Sequence, residues 1–171
     1  MQRVVFVSST SVHGQDQGEW INEHTPPNAQ RYNGAILWSA EQTWRATWGE
    51  RLLVVRPSGV YGPQRDRLIR WLQSGKPVHM GQWSNRIHVD DLAGFLAHLT
   101  CIDAQLPLYL ATDNAPVLLN EVLAALAHQA GLPMVAQLPA PIHGKRIDNQ
   151  ALRHSGYVLR YPTWRQGYGC E

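Results

Sequence analysis

Residues 4–14, "VVFVSSTSVHG", carry an apolar run straight into a turn of hydroxyls. A strand that ends in serines puts hydroxyls at a site, which makes Ser8 and Ser9, with His13 close behind, candidate site residues. The competing reading of Ser9 is a turn residue that satisfies local backbone groups. In "VVRPSGVYGP", Arg56 and Pro57 end a second apolar run, and in "NRIHVDD", Arg86, His88 and Asp90 stand together. There the alternative is a helix start with acidic residues in its first turn and a histidine packed on the sheet. Arg146 and Asn149 in "KRIDNQALR" form a last polar group, for which a helix cap or a surface role serves equally well. Tyr61 and Arg65 make a Tyr-x-x-x-Arg pair in a loop, which reads as coincidence.

The usual site signatures are missing. The chain has no G-x-G-x-x-G turn, no Walker loop, no H-E-x-x-H and no G-x-S-x-G elbow. Cys101 and Cys170 have no metal-like spacing, so no metal is expected.

The elements that would position these groups alternate. "RVVFVSS" has the continuous β-branched character of a parallel strand buried on both faces. A polar loop follows, then residues 34–48, "GAILWSAEQTWRATW", with helical composition. "RLLVVRPSGVYGP" is a second buried strand and "PLYLATD" a third. "RDRLIRWLQSG" reads as a short helix, "KPVHMG" as a short strand, and "HVDDLAGFLAHLTC" as an amphipathic helix. "APVLLNEVLAALAHQAGL" is the clearest helix, with Asn114 as its cap, Pro116 in its first turn and Gly131 at its end. The tail predicts a short helix near 148–154 and then an extended segment. Strand, helix, strand in this order favours an α/β fold with a parallel sheet and right-handed crossovers.

At 171 residues the chain is the size of one domain. Its 44% hydrophobic content is globular, and a net charge of +2 without basic blocks argues against nucleic acid. No apolar run approaches a membrane span. Two lone cysteines fit a reducing cytoplasm. Trp38, Trp44 and Trp48 are expected in core and helix packing.

"VVFVSSTSVHG", "EHTPPNAQRYNGAILWSAEQ", "LLVVRPSGVYGP", "NRIHVDDLA" and "KRIDNQALRHSGYVLRYPTWRQGY", in this order and spacing, resemble the extended short-chain dehydrogenase/reductases of the NAD-dependent epimerase/dehydratase type. The resemblance covers nearly the whole chain but only the family's second half. It implies the C-terminal half of a Rossmann-like, doubly wound parallel sheet with a small α/β substrate-side subdomain. Residues 1–171 would form one domain, with a partial core at about 1–63 and 84–131 and substrate-side elements at 64–83 and 132–171. Met1 falls where the family's fifth strand begins, and the glycine-rich phosphate turn would precede it. A truncated product, a fragment or a subunit completed by an N-terminal half is therefore expected, with homo-oligomerisation as another way to cover the strand edge.

The resemblance also assigns roles. The cofactor would be NAD or NADP, and the substrate a small polar molecule such as a sugar nucleotide. The family's S-x-x-V-Y-G motif puts its catalytic serine at Ser9 and its tyrosine at His13. Ser8, Arg56 and Pro57 would approach the cofactor, and His13, Arg86 and His88 the substrate. The family's Y-G-x-S-K-x-x-x-E falls on residues 33–41, so Asn33 replaces the proton-exchanging tyrosine and Leu37 the lysine that tunes it. Tyr32 is one residue away, a rotation of about 100° around a helix. Impaired hydride chemistry is expected, with a non-catalytic ligand sensor on the same fold as the alternative; a decayed reading frame, functional only in a longer form, is a third reading.

Overall fold

The computed structural model describes residues 3–29, 32–103 and 106–170. In chain order the elements are β1 (Val4–Val7), β2 (Trp20–Ile21), α1 (Tyr32–Trp48), β3 (Leu52–Pro57) and β4 (Gly59–Tyr61). Then come α2 (Arg67–Gln73), β5 (Val78–His79), β6 (Trp83–Ser84), β7 (Arg86–His88) and α3 (Val89–Cys101). They are followed by β8 (Leu108–Ala111), β9 (Val117–Leu118), α4 (Leu119–Ala130), β10 (Gln137–Leu138), β11 (Arg146–Ile147), α5 (Gln150–His154) and α6 (Trp164–Tyr168).

The three apolar runs pair as a parallel sheet in the order β1-β3-β8. All six residues of β3 are buried, as a central strand requires. Strand side chains alternate between faces. Leu53 and Val55 pack with Phe95 and Leu99 of α3 and Tyr109 of β8, while Arg56, out of phase with them, bonds a side chain of α1. The β1 run has the same composition but, among the described residues, pairs on one side only, and its residues are at most half-buried. Beside it Phe6, Trp44 and Trp48 stack with centroids 5.4 and 6.4 Å apart. Of the tryptophans expected in core and helix packing, none is in the core: Trp44, exposed, and Trp48, half-buried, pack on this flank, while Trp38 is half-buried beside Arg56. Of α1's 17 residues only Gly34 and Glu41 are buried. At Gly34 the helix meets the Ser11 carbonyl so closely that a Cβ would collide with it.

A second core gathers Leu68 and Leu72 of α2, Val78, Trp164 and the inner face of α4. Short ladders link the remaining segments: β4 with β7, β2 with β11 and β5 with β10 in parallel, and β6 with β9 antiparallel. α3 starts as expected. His88 Nδ1 accepts from the Asp90 N–H at 3.2 Å, and Asp90 and Asp91 lie in the first turn.

Two expectations need correction. α4 starts at Leu119, so Asn114 is not its cap and Pro116 is not in its first turn. Val117 and Leu118 instead pair with Ser84 and Trp83, and the Leu119 N–H donates to the Gln82 carbonyl at 2.8 Å. Pairing beside the buried Val117 replaces the extra helical turn. The end of α4 is as read, with Gly131 left-handed at φ 63°. The tail is not extended to its end. Thr163 and Gln166 form a capping box that starts α6. Among the described residues, no helix is long and apolar enough to cross a membrane.

The register makes a test possible. The Ser8 N–H donates to the Val55 carbonyl at 2.8 Å, so along β1 the amide of Phe6 also faces β3, while those of Val5 and Val7 face away. Hydrogen exchange should show Val5 and Val7 exchanging about a hundredfold faster than Phe6 and Ser8. Equal protection at all four positions would mean that the outer edge of β1 is covered.

Candidate functional site

The ends of β1 and β3 meet at one buried carboxylate. Glu41, fully buried in the middle of α1, accepts from Arg56 Nε at 3.0 Å and Nη2 at 2.6 Å, and from Ser8 Oγ at 2.5 Å. The third Arg56 nitrogen, Nη1, lies 2.9 Å from His13 Nε2. Because a guanidinium only donates, that ring nitrogen accepts and the His13 proton is on Nδ1. Nδ1 faces the Pro26 carbonyl without an aligned hydrogen bond. Burial, then the charges of Arg56 and Lys145, lower the His13 pKa to about 3, so the ring is neutral. Lys145 Nζ donates to the His13 carbonyl at 2.5 Å and brings the segment before β11 against the serine turn.

That turn opens into a pocket of about 410 Å³ lined by Ser9, Ser11, His13, Asp16, Trp83, Asn85, His143 and Lys145. Ser9 Oγ accepts from the Ser11 N–H at 3.1 Å, which holds the hydroxyl at the head of a short 3-10 turn. Asn85 fixes the opposite wall: its amide donates to the Lys145 carbonyl at 2.8 Å and accepts from the Ile147 N–H at 2.9 Å. Arg146 lies 5.0 Å from the ring centroids of both Trp20 and Trp83, and so supports Trp83 from behind.

A second pocket, of about 470 Å³, shares Gly59, Gln82 and Ser84 with the first. Arg65, Arg67, Arg70 and Arg86 line it together with Tyr61, Trp71 and Tyr168, and no acidic side chain does. Arg67, Arg70 and Trp71 share one face of α2, three and four residues apart. The Tyr61 and Tyr168 rings stack at 4.3 Å beside Arg86. Four guanidiniums with aromatic rings suit an anion carried on a flat or ring-bearing group.

The structure thus distributes the sequence candidates. Ser9 and His13 line the serine pocket and Arg86 the arginine pocket. Ser8, Arg56 and Pro57 are buried behind the serine pocket, and the side chains of Ser8 and Arg56 are held by Glu41. His88 is closed in between Tyr61 and Tyr161 and lines neither pocket. Tyr32 is 80% exposed at the start of α1 and also lines neither. Asn149 is buried and ties the Thr112 carbonyl to Asn114. Tyr61 and Arg65, set aside in the sequence, both line the arginine pocket. The arginines of α2 were missed altogether, although Arg-x-x-Arg-Trp on one helix face was the available signal.

The residues present do not fit a whole nicotinamide dinucleotide. The sequence holds no glycine-rich phosphate turn, and the Ser8 and Arg56 side chains already bond within the protein. Among the described residues, no group of three or more His, Cys, Asp or Glu could hold a metal ion.

No protein-family model matches the chain. Protein YeeZ of Escherichia coli K12 is 32% identical over 166 residues, which cover 94% of this chain and 59% of YeeZ. A Methylobacillus flagellatus protein described as an NAD-dependent epimerase/dehydratase superposes with a TM-score of 0.85 at 37% identity, over 99% of this chain and 63% of that one. MoeE5, solved with UDP-glucuronic acid and NAD and also with UDP-glucose and NAD, superposes in the former complex with a TM-score of 0.77 at 26% identity, over 100% of this chain and 64% of its own. The chain therefore spans about 60% of the length of these relatives.

Two outcomes follow from the Glu41 network. Glu41→Gln leaves the buried Arg56 charge without its counter-ion and should cost about 3 kcal/mol in urea unfolding. The apolar pair Glu41→Leu with Arg56→Met should recover most of that loss. A single substitution as mild as a surface change would refute the network's structural weight. The second outcome concerns acid. Between pH 6.5 and about 3 the unfolded chain takes up a proton that folded His13 refuses, so this stability is lost as the pH falls through that window. Thermal midpoints should therefore drop less steeply below pH 6.5 in His13→Gln than in the wild type, and parallel curves would contradict the assignment.

Proposed function

We propose that this chain, a partial-length structural relative of the NAD-dependent epimerase/dehydratase proteins, is the sugar-nucleotide-holding part of such a protein and corresponds to its C-terminal half. The observation that carries the reading is the pair of adjoining pockets. Four arginines and stacked aromatic rings offer a site for a diphosphate and its nucleoside. Hydroxyls, amides and one aromatic wall offer a site for a sugar. Arg86 holds the diphosphate from the inner wall, Arg67 and Arg70 from the rim, and Ser9 receives a sugar hydroxyl. MoeE5, with its UDP-sugars, supports this choice of ligand class.

Hydride transfer is not within the reach of these residues alone. Asn33 and Leu37 stand where the related enzymes' proton-exchanging pair is expected, and Tyr32 points to solvent. This favours a second reading, a protein that holds a sugar nucleotide without converting it. When bound, a nicotinamide would supply hydride chemistry. The open edge of β1 is where the rest of a full-length Rossmann sheet would pair.

Titration calorimetry with UDP-glucose tests the reading. The wild-type chain should bind it, and Arg67→Ala with Arg70→Ala should weaken binding about tenfold without changing the melting temperature, since both side chains are exposed. UDP-glucose that fails to bind, or binds equally to the double variant, would remove the arginine pocket from the proposal.

A further inference from the structure

Behind the arginine pocket lies a buried acid that the proposed binding site does not use. Asp113 follows β8 and is 1% exposed. Its backbone N–H donates to the Arg86 carbonyl at 2.7 Å, and the Thr112 hydroxyl donates to the same carbonyl at 3.1 Å. These bonds tie the segment after β8 to β7 and bring the two side chains near each other without ion-pair contact. Asp113 Oδ1 accepts from the Ala115 N–H at 3.0 Å; the Trp164 N–H faces the same carboxyl, and Oδ2 has no aligned hydrogen bond. Arg86 Nε and the Tyr61 hydroxyl, buried beside it, also lack an aligned hydrogen bond. A buried acid, a buried guanidinium and a buried phenol thus meet at the inner wall of the arginine pocket without a closed network.

We propose that Asp113 is a positioning residue that sets how strongly Arg86 holds an anionic ligand. As a neutral acid it leaves the guanidinium charge to the pocket. As a carboxylate it offsets part of that charge from behind. The inference rests on the arginine pocket being the site of a nucleotide diphosphate, and it adds a regulation to that site.

Burial, opposed by the Ala115 N–H and by Arg86, raises the Asp113 pKa to about 7, so its charge changes within the range that cells use. The groups facing it are Arg86 of β7, Asp91 of α3, Tyr61 of β4 and the Trp164 N–H of α6. Tyr168 of α6 faces Arg86 and Tyr61 from the pocket side. His88 touches Tyr61 from the side away from the pocket.

UDP-glucose is the probe, because its diphosphate diester does not titrate between pH 5.5 and 8.5. Calorimetry on the wild type should show affinity falling about tenfold over that range, centred near pH 7. Asp113→Asn should hold the low-pH affinity at every pH. By linkage, saturating UDP-glucose should also raise the titration midpoint of the wild-type Asp113 carboxyl, followed by carbon NMR, by about one pH unit. That measurement needs no variant, so a misfolded Asp113→Asn leaves the test intact. A wild-type affinity that ignores pH, equal carboxyl midpoints with and without ligand, or a pH dependence that survives in Asp113→Asn would overturn the proposal and leave the binding site standing. Absence of UDP-glucose binding at any pH would remove the site and this regulation together.

Discussion

A carboxylate sealed inside a protein is tolerated only when its charge is matched and its lone pairs are filled. Glu41 meets both conditions through Arg56 and Ser8, and the three residues come from three separate stretches of chain. The requirement fixes more than a pair of side chains. It holds the middle of α1 over the ends of β1 and β3, which sets where the serine turn leaves the sheet. The third guanidinium nitrogen then turns the His13 ring. Through the His13 carbonyl, Lys145 joins the opposite wall of the pocket to the same point. The serine pocket thus has a floor made of matched charge, and α1, with little apolar burial of its own, is held largely by that match.

The two adjoining pockets differ in how they are built. The serine pocket depends on backbone and amide contacts between distant segments, such as Asn85 with Lys145 and Ile147. The arginine pocket rests on a continuous apolar core under α2 and α4, so its rim charges stand on a firm base while Arg86 alone reaches into the interior. One ligand lying across both would touch a polar, many-jointed surface at one end and a rigid, cationic one at the other. Gly167 of α6 comes so close to the Tyr61 hydroxyl that a Cβ would collide with it, which keeps the tyrosine stack tight beside Arg86.

The sheet was legible because its strands are written in consecutive apolar letters: "VVFV", "LLVV" and "LYLA" are all where composition put them. His88, Asp90 and Asp91 likewise announced the start of α3, and Gly131 the end of α4. What was not legible depended on distant partners. Trp20–Ile21 forms a strand only because Arg146–Ile147 lies beside it, 126 positions later, and Val117–Leu118 left the helix for the same kind of reason. That Glu41 would engage Ser8 and Arg56 was hidden because it is a single acidic letter in a helix, where acids are ordinarily solvated. The arginines of α2 were passed over for the converse reason: nothing in the segment itself shows that the face borders a pocket. Ser9, His13 and Arg86, which line the two pockets, were picked out through a resemblance spread over the whole chain rather than through any local pattern.

The outer margin of β1 has a consequence in time. Its outward amides at Val5 and Val7, flanked by the Phe6–Trp44–Trp48 stack, will hydrogen-bond any extended apolar segment that arrives with the right spacing, because backbone pairing carries little information about identity. What occupies this margin is therefore a matter of which segment arrives first. A strand available at once, at high local concentration, wins by proximity. Where no such segment is near, water takes the place, and the margin stays a standing acceptor of whatever extended chain diffuses to it.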